Sequence, residues 1–247
     1  MKLKMVSSLL MLAFAGMSFA GDLEKILDKY YEAMGGKEVM AKVKSMSMDG
    51  KYVMVSPQGE MEIPFKASIK EGKKMRVDAT FQGTTMIQAV DGESGWQVMP
   101  MMGTTDPQDM NENDYKSFAR MADIHGPLYE YKSKGNKIEL IGQEDVEGTQ
   151  AHKLKITEED GTVIWMFLDA EYYVPIKSVS TTSNMGMEME VSSYPSDYKE
   201  VGGLMIAHST SSKTQMGEMV LTFEKVTINP EVSDDHFKKP AAGEGGK

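Results

Sequence analysis

From residue 45 onward the chain alternates apolar and polar side chains with a period of two, in one segment after another. Met46, Met48, Tyr52 and Met54 alternate with Ser45, Ser47, Asp49 and Lys51. After the turn signal Pro57-Gln58-Gly59, Met61, Ile63, Phe65, Ala67 and Ile69 oppose Glu60, Glu62, Lys66, Ser68 and Lys70. Beyond Glu71-Gly72-Lys73, Met75, Val77, Ala79 and Phe81 oppose Arg76, Asp78, Thr80 and Gln82. A strand throws successive side chains to opposite faces, so this pattern specifies antiparallel strands with one apolar and one wetted face. Such a chain must find cover for a single greasy surface.

Further strands are expected at residues 84–90, 96–99, 137–143 and 150–157. Residues 163–212 read as three consecutive antiparallel strands, with turn signals at 169–175 and 197–203. In the middle one, Val179, Met185, Met187, Met189 and Val191 fall on one face, and Ser178, Ser180, Gly186, Glu188, Glu190 and Ser192 on the other. Residues 216–228 close the sheet. There the apolar phase slips from Leu221 and Phe223 to Val226 and Ile228, which predicts a bulge near Glu224.

Helical periodicity is confined to a few places. Leu23, Ile26, Leu27, Tyr30, Tyr31 and Met34 recur at three- and four-residue spacing and end at Gly35-Gly36; a shorter turn follows at 37–43. Asn113 is positioned to cap a helix that carries Tyr115, Phe118, Met121 and Ala122 on one side. These helices are too few to cover a flat sheet. The expected fold is therefore mainly β (α+β), a curled antiparallel half-barrel whose helices cover the concave hydrophobic face.

Residues 1–20 read as a cleavable export signal: Lys2 and Lys4, an apolar run from Val6 to Phe14, and Ser18-Phe19-Ala20 ahead of Gly21. Residues 21–238 then form one domain and 239–247 a disordered tail. Export places the product in the periplasm, and no stretch reaches the ~20 apolar residues of a membrane-spanning helix. With no cysteine in the chain, disulfides, thiolate metal sites and a lipidated cysteine are excluded. The net charge of −10, more negative once the leader lysines are removed, argues against nucleic acid as a partner.

Methionine is the compositional anomaly, with 24 residues. Its long, polarisable side chain repacks easily around irregular apolar guests, although it is also a common core filler. The expected ligand cavity comprises Met46, Met48, Met54, Met61, Ile63, Phe65, Met75, Val77, Phe81, Met185, Met187 and Met189. The clusters Met99-Pro100-Met101-Met102 and Met185-Gly186-Met187-Glu188-Met189 also suit thioether ligation of Cu(I), a soft metal; without flanking His or Cys the expectation is no metal and no cofactor. His125, His152, His208 and His236 show no ligand spacing, and no nucleophile-elbow, zinc-protease, phosphate-loop or dinucleotide fingerprint occurs. The chain is not expected to be an enzyme.

Several landmarks in order resemble the LolA-like family of outer-membrane lipoprotein-sorting carriers over nearly all of residues 21–238. They are Ile26-Leu27-Asp28-Lys29-Tyr30-Tyr31-Glu32-Ala33-Met34-Gly35-Gly36, the pair Lys74 and Arg76, and the hairpin from Asp91-Gly92 through Gly95-Trp96 to Pro100. Phe167-Leu168-Asp169-Ala170-Glu171, Pro175 and the run from Asp197 to Leu204 complete them. The resemblance implies a half-barrel lidded by helices that carries the acyl chains of a lipid-modified protein, or a lipid, from an inner-membrane donor complex to an outer-membrane acceptor, as a monomer. A lipid-sensing module on the same scaffold is the alternative. Arg76 matches a family arginine associated with the lid, yet alternation puts it on the face opposite Met75 and Val77; Ala207 stands where relatives often have proline.

Overall fold

The computed structural model describes residues 13–56, 59–184, 187–214 and 217–241. The helices are α1 (Ala13–Ala33), α2 (Lys37–Met40) and α3 (Glu112–Met121). The strands are β1 (Ser45–Ser56), β2 (Gly59–Lys70), β3 (Lys74–Phe81), β4 (Thr84–Asp91), β5 (Gly95–Met99), β6 (Thr104–Asp109) and β7 (Lys137–Val146). They continue with β8 (Thr149–Thr157), β9 (Val163–Asp169), β10 (Pro175–Asn184), β11 (Met187–Val201), β12 (Leu204–Thr214) and β13 (Gly217–Ile228). They make one open 13-stranded sheet in the order β6-β5-β4-β3-β2-β1-β13-β12-β11-β10-β9-β8-β7, every pair antiparallel. Two meanders are thus sewn together where β1 meets β13.

That sheet is strongly curled, and α3 shows why it must be. The helix touches β3, β4 and β5 and also β10. In the strand order β3 and β10 lie about six strand spacings apart, roughly 29 Å around the sheet. The 10 residues of α3 span only about 15 Å. The sheet therefore wraps around the helix, which sits on its concave side.

Two clusters fill this side. On the β7–β9 flank, Leu23, Ile26, Leu27 and Tyr30 of α1 pack on Leu154, Ile156, Ile164 and Leu168. Phe118 of α3 and the adjoining Ala122 pack on Met46, Met48, Phe65, Ala67, Met75 and Val77. The close seat of α1 relies on Gly35, where φ is +110° and a Cβ would stand 2.1 Å from the Gly203 carbonyl oxygen.

The convex side carries smaller apolar patches. Ile87, Ala89, Trp96 and Val98 form one, and the segment after β13 crosses it. Trp96 Nε1 donates to the carbonyl of Phe237 at 2.8 Å, the Phe237 ring is fully buried, and Lys70 and Lys74 both donate to Asp234, at 2.7 and 2.6 Å. A second patch, Val146, Ala151 and Phe167 with Trp165, Val179 and Tyr194, lies under the lysine side chains of Lys153, Lys177 and Lys213, which sit over its aromatic rings.

Several expectations change. The stretch read as one middle strand is two, β10 and β11, with Asn184 opposite Met187 and Ser178 opposite Ser193. Folding back at this hairpin puts Met187, Met189 and Val191 on the face of Ser178 and Ser180, and puts Val179 with Glu188 and Glu190. Met185 and Gly186 lie outside the described residues. The cap of α3 is Asn111, whose side chain accepts from Asp114 N at 2.9 Å, and not Asn113; Met121 points outward, 57% exposed. Strand β6 had no apolar alternation to announce it. The bulge falls where expected, since Asp49 pairs with Lys225 and Gly50 with Phe223, leaving Glu224 without an opposite residue. Gly50 is required there because a Cβ would sit 2.2 Å from the Thr222 carbonyl oxygen.

Candidate functional site

The helices leave part of the concave face open. This part lies toward the hairpin ends β1–β2, β10–β11 and β12–β13, and its floor follows from the registers. Met61 pairs with Met54, Met54 with Met219, Met219 with Ser212, Ser212 with Ser193, and Ser193 with Ser178. Beyond Ser178 the row passes beneath α1, through Met166, Leu154 and Leu140. Directly opposed residues share a face, so thioethers, hydroxyls and aliphatics follow one another across the trough.

The predicted cavity residues divide by depth. Met46, Met48, Phe65, Met75 and Val77 are buried beneath α3. Met61, Ile63, Phe81 and Met189 are half-buried. Met54 and Met187 are open to solvent, 41% and 53% exposed, as is Met219 at 36%. Register places all of them on the concave side. Tyr52 stands beside them against Phe65, with ring centroids 4.6 Å apart, and burial pushes its phenol up to about 12, so it remains a neutral hydroxyl.

Arg76 is elsewhere. It lies on the convex face, where its Nε donates to Asp78 at 2.9 Å, Nη1 donates to the His236 carbonyl at 3.3 Å, and the guanidinium stands 5.6 Å from the Trp96 ring. The cation that fastens the concave helix is Arg120. Its Nε donates to Glu158 at 2.5 Å and its Nη2 to Thr162 Oγ1 at 3.0 Å, both at the β8–β9 turn. Burial raises the Glu158 carboxyl above its ordinary range, against the pull of Arg120. Strand β10 outruns β9, their last pair being Ser180 with Ile164. Ser183 therefore has a spare N–H, which donates to Ser117 Oγ at 2.8 Å, while its hydroxyl donates to Asp114 at 2.7 Å. Sequence reasoning passed over Arg120 and Ser183 because their partners are tens of residues away.

Other concavities lie among the described residues. A groove of about 600 Å³ between α1 and β7–β8 is lined by Ile26, Lys29, Gln143, His152 and Tyr173. His152 stacks on Tyr173 there, with centroids 5.6 Å apart, and burial lowers its pKa while Asp169 opposes the shift. A polar cleft of about 330 Å³ separates α3 from the end of β10. Among the described residues no group of His, Asp and Glu is placed to hold a metal ion, and no helix is long and apolar enough to cross a membrane.

No protein-family model and no characterised protein matches the sequence. Solved structures do match the fold. A LolA superfamily protein from Nitrosomonas europaea superposes with a TM-score of 0.60 at 15% identity, over 87% of this chain and 97% of that one. A putative outer membrane lipoprotein-sorting protein domain from Vibrio parahaemolyticus gives 0.58 at 14% identity, over 87% and 95%. A DUF1329 family protein from Desulfovibrio piger gives 0.59 at 12% identity, over 87% and 96%. The chain thus has the LolA-like fold, an open antiparallel sheet wrapped around helices.

Proposed function

We propose that this chain is a periplasmic carrier that holds the acyl chains of a lipid or lipid-modified protein in its concave trough and conveys them toward the outer membrane. The observation that carries the reading is the open part of the concave face, where Met54, Met187 and Met219 stand exposed beside half-buried Met61, Ile63, Phe81 and Met189. Exposed apolar surface gathered on one side of a curled sheet marks a binding site. Flexible thioethers suit chains of varied shape, and each methylene taken from water contributes about 0.8 kcal/mol. The role is binding without catalysis, because the trough offers thioethers, aliphatics and hydroxyls.

The leader at residues 1–20 supports a periplasmic location, and removal at Ala20-Gly21 would leave the rest of α1, whose core-facing residues begin at Leu23. The lipoprotein-sorting domain among the structural relatives agrees with the reading. Delivery then requires an inner-membrane donor and an outer-membrane acceptor, and α3, held by Arg120 and Ser183, is the element that would move to admit cargo. Native mass spectrometry of protein isolated from its own cell envelope tests this. Adducts of acylated mass that disappear in Met54→Glu/Met219→Glu support the carrier, and protein that is ligand-free and takes up no acyl chains contradicts it.

A second reading rests on the row Met61–Met54–Met219, which sets thioethers on adjacent strands. Thioethers select Cu(I). A stoichiometric copper adduct without lipid in the same spectra would favour it.

A further inference from the structure

We propose that the part of the cargo seated deepest in the trough is a neutral acyl ester, and that a band of hydroxyls on β10, β11 and β12 recognises its carbonyl oxygens. This rests on the carrier reading of the same trough and narrows its cargo. The first observation is the band itself. Ser178, Ser193 and Ser212 stand side by side in the cross-strand row, with thioethers on one flank and Met166 and Leu154 on the other. The Ser193 and Ser212 oxygens are 3.1 Å apart. Ser180 and Thr210 share the concave face with them, and no described residue hydrogen-bonds the hydroxyls of Ser178, Ser180 or Thr210. No described buried side-chain polar atom lacks a partner, so these hydroxyls are reached from the trough. A half-apolar surface with unspent donors at its centre is suited to a ligand that has acceptors between apolar arms.

The second observation is independent of the first. Among the described residues, the concave positions of β1–β4, β8–β10, β12 and β13, and of β11 from Met187 to Pro195, carry no Asp, Glu, Lys or Arg. The charged residues of those stretches alternate to the convex side, where Lys51 meets Glu62, Lys153 meets Glu144, and Lys177 and Lys213 lie over aromatic rings. A carboxylate or phosphate drawn onto these strand positions would lose its hydration and meet no cation among them, a large penalty for an unpaired ion; Lys116 and Arg120 of α3 are paired with Glu112 and Glu158. An ester carbonyl has no charge to desolvate and accepts a hydrogen bond from a serine O–H. The trough therefore selects the ester over the acid of the same chain.

The test uses full-length mature protein freed of endogenous ligand, loaded with a pyrene-labelled hydrocarbon and titrated with methyl oleate or oleate at about pH 8, where a fatty acid is ionised. Methyl oleate is expected to displace the probe at a concentration at least tenfold lower than oleate. In Ser178→Ala/Ser193→Ala/Ser212→Ala the affinity for methyl oleate should fall about tenfold relative to that for the hydrocarbon, and continued binding of the hydrocarbon shows that the variant is folded. Equal displacement by the two ligands, or a triple variant that binds methyl oleate as tightly relative to the hydrocarbon as the parent does, overturns the ester assignment while leaving the carrier standing. Failure of the hydrocarbon itself to bind overturns the carrier reading and this inference with it.

Discussion

The Glu158 carboxylate accepts from Arg120 Nε at 2.5 Å, and both side chains are largely shielded, 17% and 20% exposed. The pair ties α3, which lies inside the curl, to the turn between β8 and β9. Replacing Arg120 by Met leaves a shielded carboxylate without its cation, and should cost about 1–3 kcal/mol. Arg120→Met/Glu158→Gln should recover part of that, since no ion is then stranded. Urea unfolding measures both, and amide exchange should quicken within residues 112–121.

On the convex face, Phe237 should behave as a core residue although it lies near the end of the chain. Its ring is fully buried, so Phe237→Ala is expected to cost about 3–5 kcal/mol. Trp96→Phe removes the donor to the Phe237 carbonyl and should cost about 1–2 kcal/mol. Thermal unfolding gives the magnitudes. Limited proteolysis should cut after residue 229 sooner in both variants than in the parent.

Asp234 gives the pH dependence a sign. Hydrogen bonds from Lys70 and Lys74 lower its carboxyl from 3.8 to about 2. A carboxylate with a depressed folded pKa contributes stability that is present above its ordinary value and lost as pH falls through the folded one. The difference in unfolding midpoint between the parent and Asp234→Asn should therefore be constant above about pH 5 and shrink between pH 4 and 2. A difference that persists at the acid end would show that the lysines do not hold this carboxylate.

Gly35→Ala should be strongly destabilising. The position combines a φ of +110° with only 2.1 Å between a would-be Cβ and the Gly203 carbonyl oxygen, a backbone atom that cannot step aside. An exposed glycine with positive φ but open space, such as Gly148, serves as the control; its Ala variant should lose only about 1 kcal/mol. Comparable losses at both positions would mean that the seat of α1 against the β11–β12 turn tolerates movement.

Much of this architecture is written in local chemistry. The two-residue period announces β1, β2 and β3, because each has one face in the core, and the slip between Phe223 and Val226 announces the bulge at Glu224. The same alternation places Arg76 on the convex side. What stays hidden depends on partners distant in sequence or on turns without a signal. The period runs on through Ser183-Asn184-Met185-Gly186-Met187 with no Asn-Gly or proline to break it, so the β10–β11 hairpin reads as continuous strand, and the hydroxyls of β10 are assigned to the wrong side of Met187 and Met189. Strand β6, Thr104–Asp109, is an edge strand with Pro107 in it, a place where proline is tolerated and apolar alternation is not needed. The candidate site was therefore legible as a set of methionines, and its serine floor was not.

In a carrier of this kind, acyl chains lie along the concave row from Met61 to Ser178. A diacyl ester bearing a diazirine on one chain, photolysed in complex with the protein and mapped by peptide sequencing, tests this placement directly. Crosslinks are expected on peptides containing Met54, Met61, Met189, Met219 and Leu221, which share the concave face. Crosslinks concentrated on Ile26, Lys29, Gln143 and His152, which line the groove beside α1, or on the Trp165–Tyr194 patch of the convex face, would contradict this placement.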